Sequence, residues 1–198
     1  MRPFIDQSSK KLIQGKYIFL DNDFLGEVFK DEILFKDSFD FFSDGYPVID
    51  PFTQFEFLRD VFLPEQRILK EKFITKEIFA PYINHQQVFL KLQENAILLS
   101  KIYMHQYQGR KNKQKTGPID LLLASRVMYH SKQSVLVTGN NKHFPSFIFD
   151  VLAVINCQES DDSMRSFSIV EFSHDKFTNC YNQLINLENK TNNKLSSK

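Results

Sequence analysis

The chain has 198 residues, a formal net charge of +1, 42% hydrophobic and 25% charged residues. That length carries one domain with a full core, and the composition excludes a disordered or fibrous chain. Near-neutral charge excludes a global field that gathers nucleic acid, so any anion-binding surface must be local.

In chain order, residues 1–16 form an N-terminal extension without the long apolar core of a signal peptide. Tyr17-Ile18-Phe19-Leu20 then reads as a buried strand, and it stops at Asp21-Asn22-Asp23. Helical patterns follow over 23–29 and 31–42, ending at Asp44-Gly45. A short strand is expected over 46–49, and Asp50-Pro51 marks the next helix start. Amphipathic spacing predicts long helices over 64–79 and 86–108, then a basic loop over 109–117. Pro118 to His130 is a helix and Ser134 to Val137 a strand that runs into Thr138-Gly139-Asn140-Asn141. Two more strands, 149–156 and 167–172, flank the turn-like Glu159-Ser160-Asp161-Asp162. A helix over 175–187 and a polar, frayed tail over 189–198 complete the chain. The expected organisation is one α/β domain over 17–188 with helical insertions. No run is apolar enough to span a bilayer, and Cys157 and Cys180 lack metal or redox spacing, so a reduced, cytoplasmic protein is expected.

α/β proteins place their chemistry at the carboxyl ends of strands, which draws attention to four positions. Asp21 and Asp23 end the first strand, Glu56 lies in the helix after Asp50, Asp120 opens the helix at Pro118, and Asn140 ends a later strand. Taken singly, each has an ordinary structural explanation. Asp21 and Asp23 serve as helix caps, Thr53-Gln54-Phe55-Glu56 is a capping box, Asp120 meets a helix dipole, and Asn140 and Asn141 form turns. Jointly they share one property: all fall at strand ends or helix starts that face one edge of a parallel sheet.

These segments resemble the four motifs of PIN-domain ribonucleases, with order and spacing similar to the toxins of VapBC toxin–antitoxin pairs. The resemblance rests on Leu20-Asp21-Asn22-Asp23, Glu56, Pro118-Ile119-Asp120-Leu121-Leu122-Leu123-Ala124 and Leu136-Val137-Thr138-Gly139-Asn140-Asn141-Lys142-His143-Phe144. It implies a PIN-like fold with a central, mainly parallel sheet flanked by helices, here with an extra helix before Asp120 and a C-terminal strand and helix elaboration. By position, Asp21, Glu56 and Asp120 match the three acids, Asn140 the fourth position, and Thr138 the hydroxyl residue that supports the site. Asp23 stands where that family usually has Asn or Ser, and Asn141 follows the fourth position.

The resemblance implies a metal-dependent endoribonuclease that leaves a 5′-phosphate and a 3′-hydroxyl. Mg²⁺ or Mn²⁺ is the expected cofactor, since hard cations prefer oxygen ligands and bind through a few carboxylates plus water and substrate phosphate. Asp21 and Asp120 are expected as direct ligands, with Glu56 orienting water or a second ion and Asn140 as a neutral ligand or hydrogen-bond partner. Clustered acids repel one another, so raised carboxyl pKa values are expected in the empty site. Arg110, Lys111, Lys113 and Lys115, just before the Asp120 helix, are candidates for RNA phosphate contact, as is Lys142, with His143 and Arg126 secondary. The 21 phenylalanines motivate an apolar partner surface, either a homodimer or an antitoxin-like protein.

Asp21-Asn22-Asp23 also resembles the first motif of haloacid-dehalogenase-type phosphatases, with Asp21 as nucleophile and Asp23 as acid/base. Leu25 departs from that pattern, no lysine motif follows Thr138, and Glu56 and Asp120 are left without a role. The third alternative is a non-catalytic PIN-fold interaction protein, which Asn140 in place of an acid leaves open.

Overall fold

The computed structural model describes residues 2–59, 61–82, 86–107, 116–159 and 162–196. Its strands are β1 (Arg2–Ile5), β2 (Tyr17–Leu20), β3 (Tyr46–Val48), β4 (Ser134–Thr138), β5 (Phe149–Gln158) and β6 (Met164–Phe172). The helices are α1 (Asn22–Lys30), α2 (Glu32–Phe41), α3 (Pro51–Arg59), α4 (Pro64–Ile74), α5 (Gln86–Gln106), α6 (Pro118–His130) and α7 (His174–Ser196).

The strands form one six-stranded sheet in the order β1-β5-β6-β4-β2-β3. β2 runs parallel to both β3 and β4, whereas β4–β6, β6–β5 and β5–β1 are antiparallel. The expected mainly parallel sheet is therefore corrected to a mixed one, parallel only around β2. The physical reason lies in the connections. Helical crossovers separate β2, β3 and β4, as parallel pairing requires, while β5 ends at Gln158 and β6 begins at Met164, a spacing too short for a crossover, so they pair antiparallel.

Alternation along the strands divides the core. Ile18 and Leu20 of β2, with Val135 and Val137 of β4, face α1 and α2 together with Phe57 and Phe73. Phe19 and Leu136 point the other way, onto Leu99 and Ile102 of α5, Leu123 and Val127 of α6 and Leu184 of α7. Both faces are covered, which is why β2 and β4 read as unbroken apolar runs. Many of the phenylalanines serve the first of these layers. Phe29, Phe35, Phe39, Phe42, Phe57, Phe73 and Phe79 meet ring to ring, mostly edge to face.

Several boundaries differ from those read in the sequence. Residues 2–5, within the expected extension, pair with β5 as the edge strand of the sheet. α4 stops at Ile74 rather than Phe79, and α7 continues to Ser196 through most of the segment expected to fray. A polar helix can propagate once its first turns are anchored, because each added residue brings one hydrogen bond. α3 is capped by Asp50, whose Oδ1 accepts from Phe52 N at 2.9 Å, so Thr53 does not open a capping box.

Arg126 is corrected as a phosphate contact, because it is fully buried. Its Nε donates to Asp50 Oδ2 at 2.7 Å and its Nη1 to the Tyr82 hydroxyl at 3.1 Å. This ion pair joins the start of α3 to the middle of α6.

Candidate active site

Parallel pairing of β2 with β4 places Leu20 beside Val137, so the residues that follow each strand emerge side by side. Asp21 N donates to Val137 O at 3.0 Å, which continues the ladder one residue past β2. The Asp21 carboxylate then lies against Thr138: their side chains are 2.7 Å apart between Oδ2 and Oγ1. Asp21 Oδ1 accepts from Asn22 N at 2.7 Å, capping α1. Thr138 Oγ1 also accepts from Asn140 N at 2.9 Å, so one hydroxyl links the first strand end to the turn after the second.

Asp23 sits in the first turn of α1. Its Oδ1 accepts from Phe24 N at 2.6 Å and its Oδ2 from Gly139 N at 2.8 Å. Gly139 is required by close approach. A Cβ there would lie 2.7 Å from Asp23 Oδ2 and 3.2 Å from the Phe167 ring. Asp120, in the first turn of α6, accepts from Gly117 N at 3.1 Å through Oδ2, which also lies 2.9 Å from His143 Nδ1. Asn140 Nδ2 is 2.9 Å from the same ring nitrogen. Asn140 and Asp120 thus meet at one ring nitrogen, whose role as donor or acceptor follows the His143 tautomer. The turn that carries these residues is held from the C-terminal end of α5: the Tyr103 hydroxyl donates to His143 O at 3.2 Å and that of Tyr107, just past the helix, to Lys142 O at 3.3 Å.

The electrostatics follow from this crowding. Burial, and then the charge of Asp23, push Asp21 up to about 8, with Asp120 adding to the same direction. Asp23 is raised as well, by burial first, with Asp120 adding; the Phe24 and Gly139 amides and the Arg165 guanidinium oppose it. Two carboxylates at the end of β2 and one at the start of α6 thus feel one another in the fold.

The structure does not treat every expected site residue alike. Asp21, Asp23, Asp120, Thr138 and Asn140 are brought together. Glu56 lies half-buried on α3, with Arg59 of the same helix 4.0 Å away, and it is not among the groups that dominate Asp21 or Asp23. Asn141 and Lys142 are exposed on the turn after β4. Arg110, Lys111, Lys113 and Lys115 lie outside the described residues. Among the described residues, no group of three or more His, Cys, Asp or Glu side chains is placed to hold one metal ion.

Sequence reading missed three neighbours. His143, expected at RNA phosphate, instead faces Asp120 at 2.9 Å. Glu27, one helical turn after Asp23 and readable as an i,i+4 pair, bonds Arg165 at 3.0 Å and Lys30 at 3.1 Å. Arg165 itself had no local signal, because the β5–β6 hairpin alone carries it to the site.

No protein-family model, no curated protein and no solved structure matches this chain. No helix among the described residues is long and apolar enough to cross a membrane.

Proposed function

We propose that this chain is a metal-dependent endoribonuclease with a PIN-like site. The observation that carries the reading is that Asp21 and Asp23, at the end of β2, lie within electrostatic reach of Asp120 at the start of α6; burial first, then these charges, push Asp21 up to about 8. A buried excess of negative charge is costly to maintain, and a hard divalent cation relieves it. Participation of Asp120 favours the nuclease over a phosphatase with Asp21 as nucleophile, since the phosphatase gives Asp120 no role.

The donor set fits Mg²⁺ or Mn²⁺ in kind: carboxylate oxygens, a hydroxyl and a carboxamide, without thiolate. Two carboxylates plus water are an ordinary complement for Mg²⁺, so three converging acids are not required. Asp21 and Asp120 would hold the ion, with Asn140 and Asp23 beside them. When bound, such an ion makes water a better nucleophile and neutralises charge on the phosphodiester. The chain's own residues orient the acids: Thr138 and Asn22 aim Asp21, Gly139 holds Asp23, and Gly117 with His143 fixes one oxygen of Asp120. Asp120 Oδ1 takes no hydrogen bond among the described residues, which leaves it open to a ligand. Hydrolysis forms a bond from water oxygen to phosphorus and breaks the P–O3′ bond. The 3′-oxygen leaves with a proton from solvent, and the phosphate stays on the 5′ side. A toxin role with an antitoxin-like partner, and a homodimer, belong to the same proposal.

The test is cleavage of single-stranded RNA and hydrolysis of p-nitrophenyl phosphate, each with and without Mn²⁺. Mn²⁺-dependent RNA cleavage that Asp120→Asn abolishes in a folded protein is expected. Retained cleavage in that variant, or p-nitrophenyl phosphate hydrolysis without RNA cleavage, would reject the reading.

A further inference from the structure

Three acids at one sheet edge repel the phosphodiester they are proposed to cleave, so the site needs a cation placed for the substrate rather than for the acids. We propose that Arg165 is that group: it binds a non-bridging oxygen of an RNA phosphate beside Asp23, held in place by Glu27 and the face of Phe167. The inference rests on the ribonuclease reading.

The placement follows an unbroken chain of contacts. Gly139 N bonds Asp23 Oδ2 at 2.8 Å, and the Phe167 ring packs so closely on Gly139 that a Cβ would sit 3.2 Å from it. The Arg165 guanidinium carbon lies 5.3 Å over the centre of that ring, and its Nη1 bonds Glu27 Oε1 at 3.0 Å. Glu27 is one turn along α1 from Asp23, so Asp23 and Glu27 share a helix face and Arg165 lies alongside it. Arg165 therefore borders the acids, and its charge acts on Asp23.

Its chemistry suits the role. Stacking on an aromatic face and one bond to Glu27 fix the guanidinium plane, which lowers the entropy lost when a second anion docks. Nε and Nη2 make no hydrogen bond among the described residues, and the side chain is 40% exposed. A guanidinium with one side anchored and the other open is matched to phosphate oxygens. An arginine present only to neutralise Glu27 is not needed, since Lys30 already lies 3.1 Å from the same carboxylate oxygen.

The experiment measures binding of a fluorescent single-stranded RNA by anisotropy over a salt series, with Ca²⁺ replacing Mn²⁺. Mn²⁺ affinity and thermal melting are measured in parallel. Arg165→Met is expected to weaken RNA binding about tenfold and to lower the salt slope by about 0.7, with Mn²⁺ affinity unchanged. Arg165→Lys should restore the slope but not the full affinity, because the charge returns without the fork. Glu27→Gln removes one anchor of the guanidinium and keeps the cation, so it should weaken RNA binding by less than Arg165→Met, about threefold, with the parent's salt slope. Unchanged affinity and slope in Arg165→Met, in a protein that cleaves RNA, overturns the assignment and leaves the nuclease reading standing. Loss of Mn²⁺ binding along with RNA binding in Arg165→Met, or a Glu27→Gln loss equal to it, also overturns the assignment. A parent protein that neither binds nor cleaves RNA overturns both.

Discussion

Replacing Asp21 by Asn is expected to stabilise the fold while abolishing activity. The Asp21 carboxyl is pushed from 3.8 to about 8. Between those two values the folded chain keeps a proton that the unfolded chain has released, so stability falls as pH rises and levels off above about 8. At pH 7 each unit above 3.8 costs about 1.4 kcal/mol, so the acid costs the fold about 4 kcal/mol relative to low pH. Asn carries no such cost and keeps the local bonds, with its oxygen accepting from Asn22 N and its amide donating to Thr138 Oγ1. For a chain of this size the difference amounts to a melting point about 10 °C higher at pH 7, shrinking to nothing near pH 4. Melting followed by circular dichroism from pH 4 to pH 8, in parent and variant without metal, gives the measurement. Adding Mn²⁺ should raise the parent alone, because only ionised Asp21 gains a ligand role; a hundredfold excess over Kd gives ~3 kcal/mol. Parallel pH curves for the two proteins, or a variant less stable than the parent at pH 7, would refute the argument that Asp21 is buried against its own charge.

Thr138→Val removes the hydroxyl that touches Asp21 and accepts from Asn140 N, so a loss of about 1–3 kcal/mol in urea denaturation is expected. The same change removes a bond that lowers the Asp21 pKa, so Mn²⁺ affinity at fixed pH, read by calorimetry, should fall. Asp50→Ala leaves the fully buried Arg126 without its carboxylate and should cost about 3–5 kcal/mol. Asp50→Leu combined with Arg126→Met should recover most of that loss, which chemical denaturation of the single and double variants would show.

How much was legible in the sequence differs from residue to residue. The runs Tyr17–Leu20 and Ser134–Val137 were read correctly, because a strand buried on both faces is apolar at every position and polar residues mark its end. Pro118–His130 was equally plain, with proline in its first turn. Asp21, Asp23, Asp120 and Thr138 stood out because strand ends and helix starts are local features. Glu56 rests on order and spacing alone, and in the fold it lies half-buried on α3 with Arg59 4.0 Å away. Nothing in Arg126 announced that it would be buried, since a charged residue in a helix reads the same whether it faces solvent or an aspartate from another helix.

By itself the sequence determined the two strands buried on both faces, the helix opened at Pro118, and which acids sit at their ends, because hydrophobic period and chain-breaking residues act over a few neighbours. Tertiary structure alone decided that the sheet is parallel only around β2. It alone also decided that His143 faces Asp120 and that Arg165 arrives from a distant hairpin beside Asp23. Strand register and desolvation set those outcomes, and both depend on residues far apart in the chain. The raised Asp21 carboxyl belongs to the same class: expected from clustered acids, it takes its size from burial that only the closed fold provides.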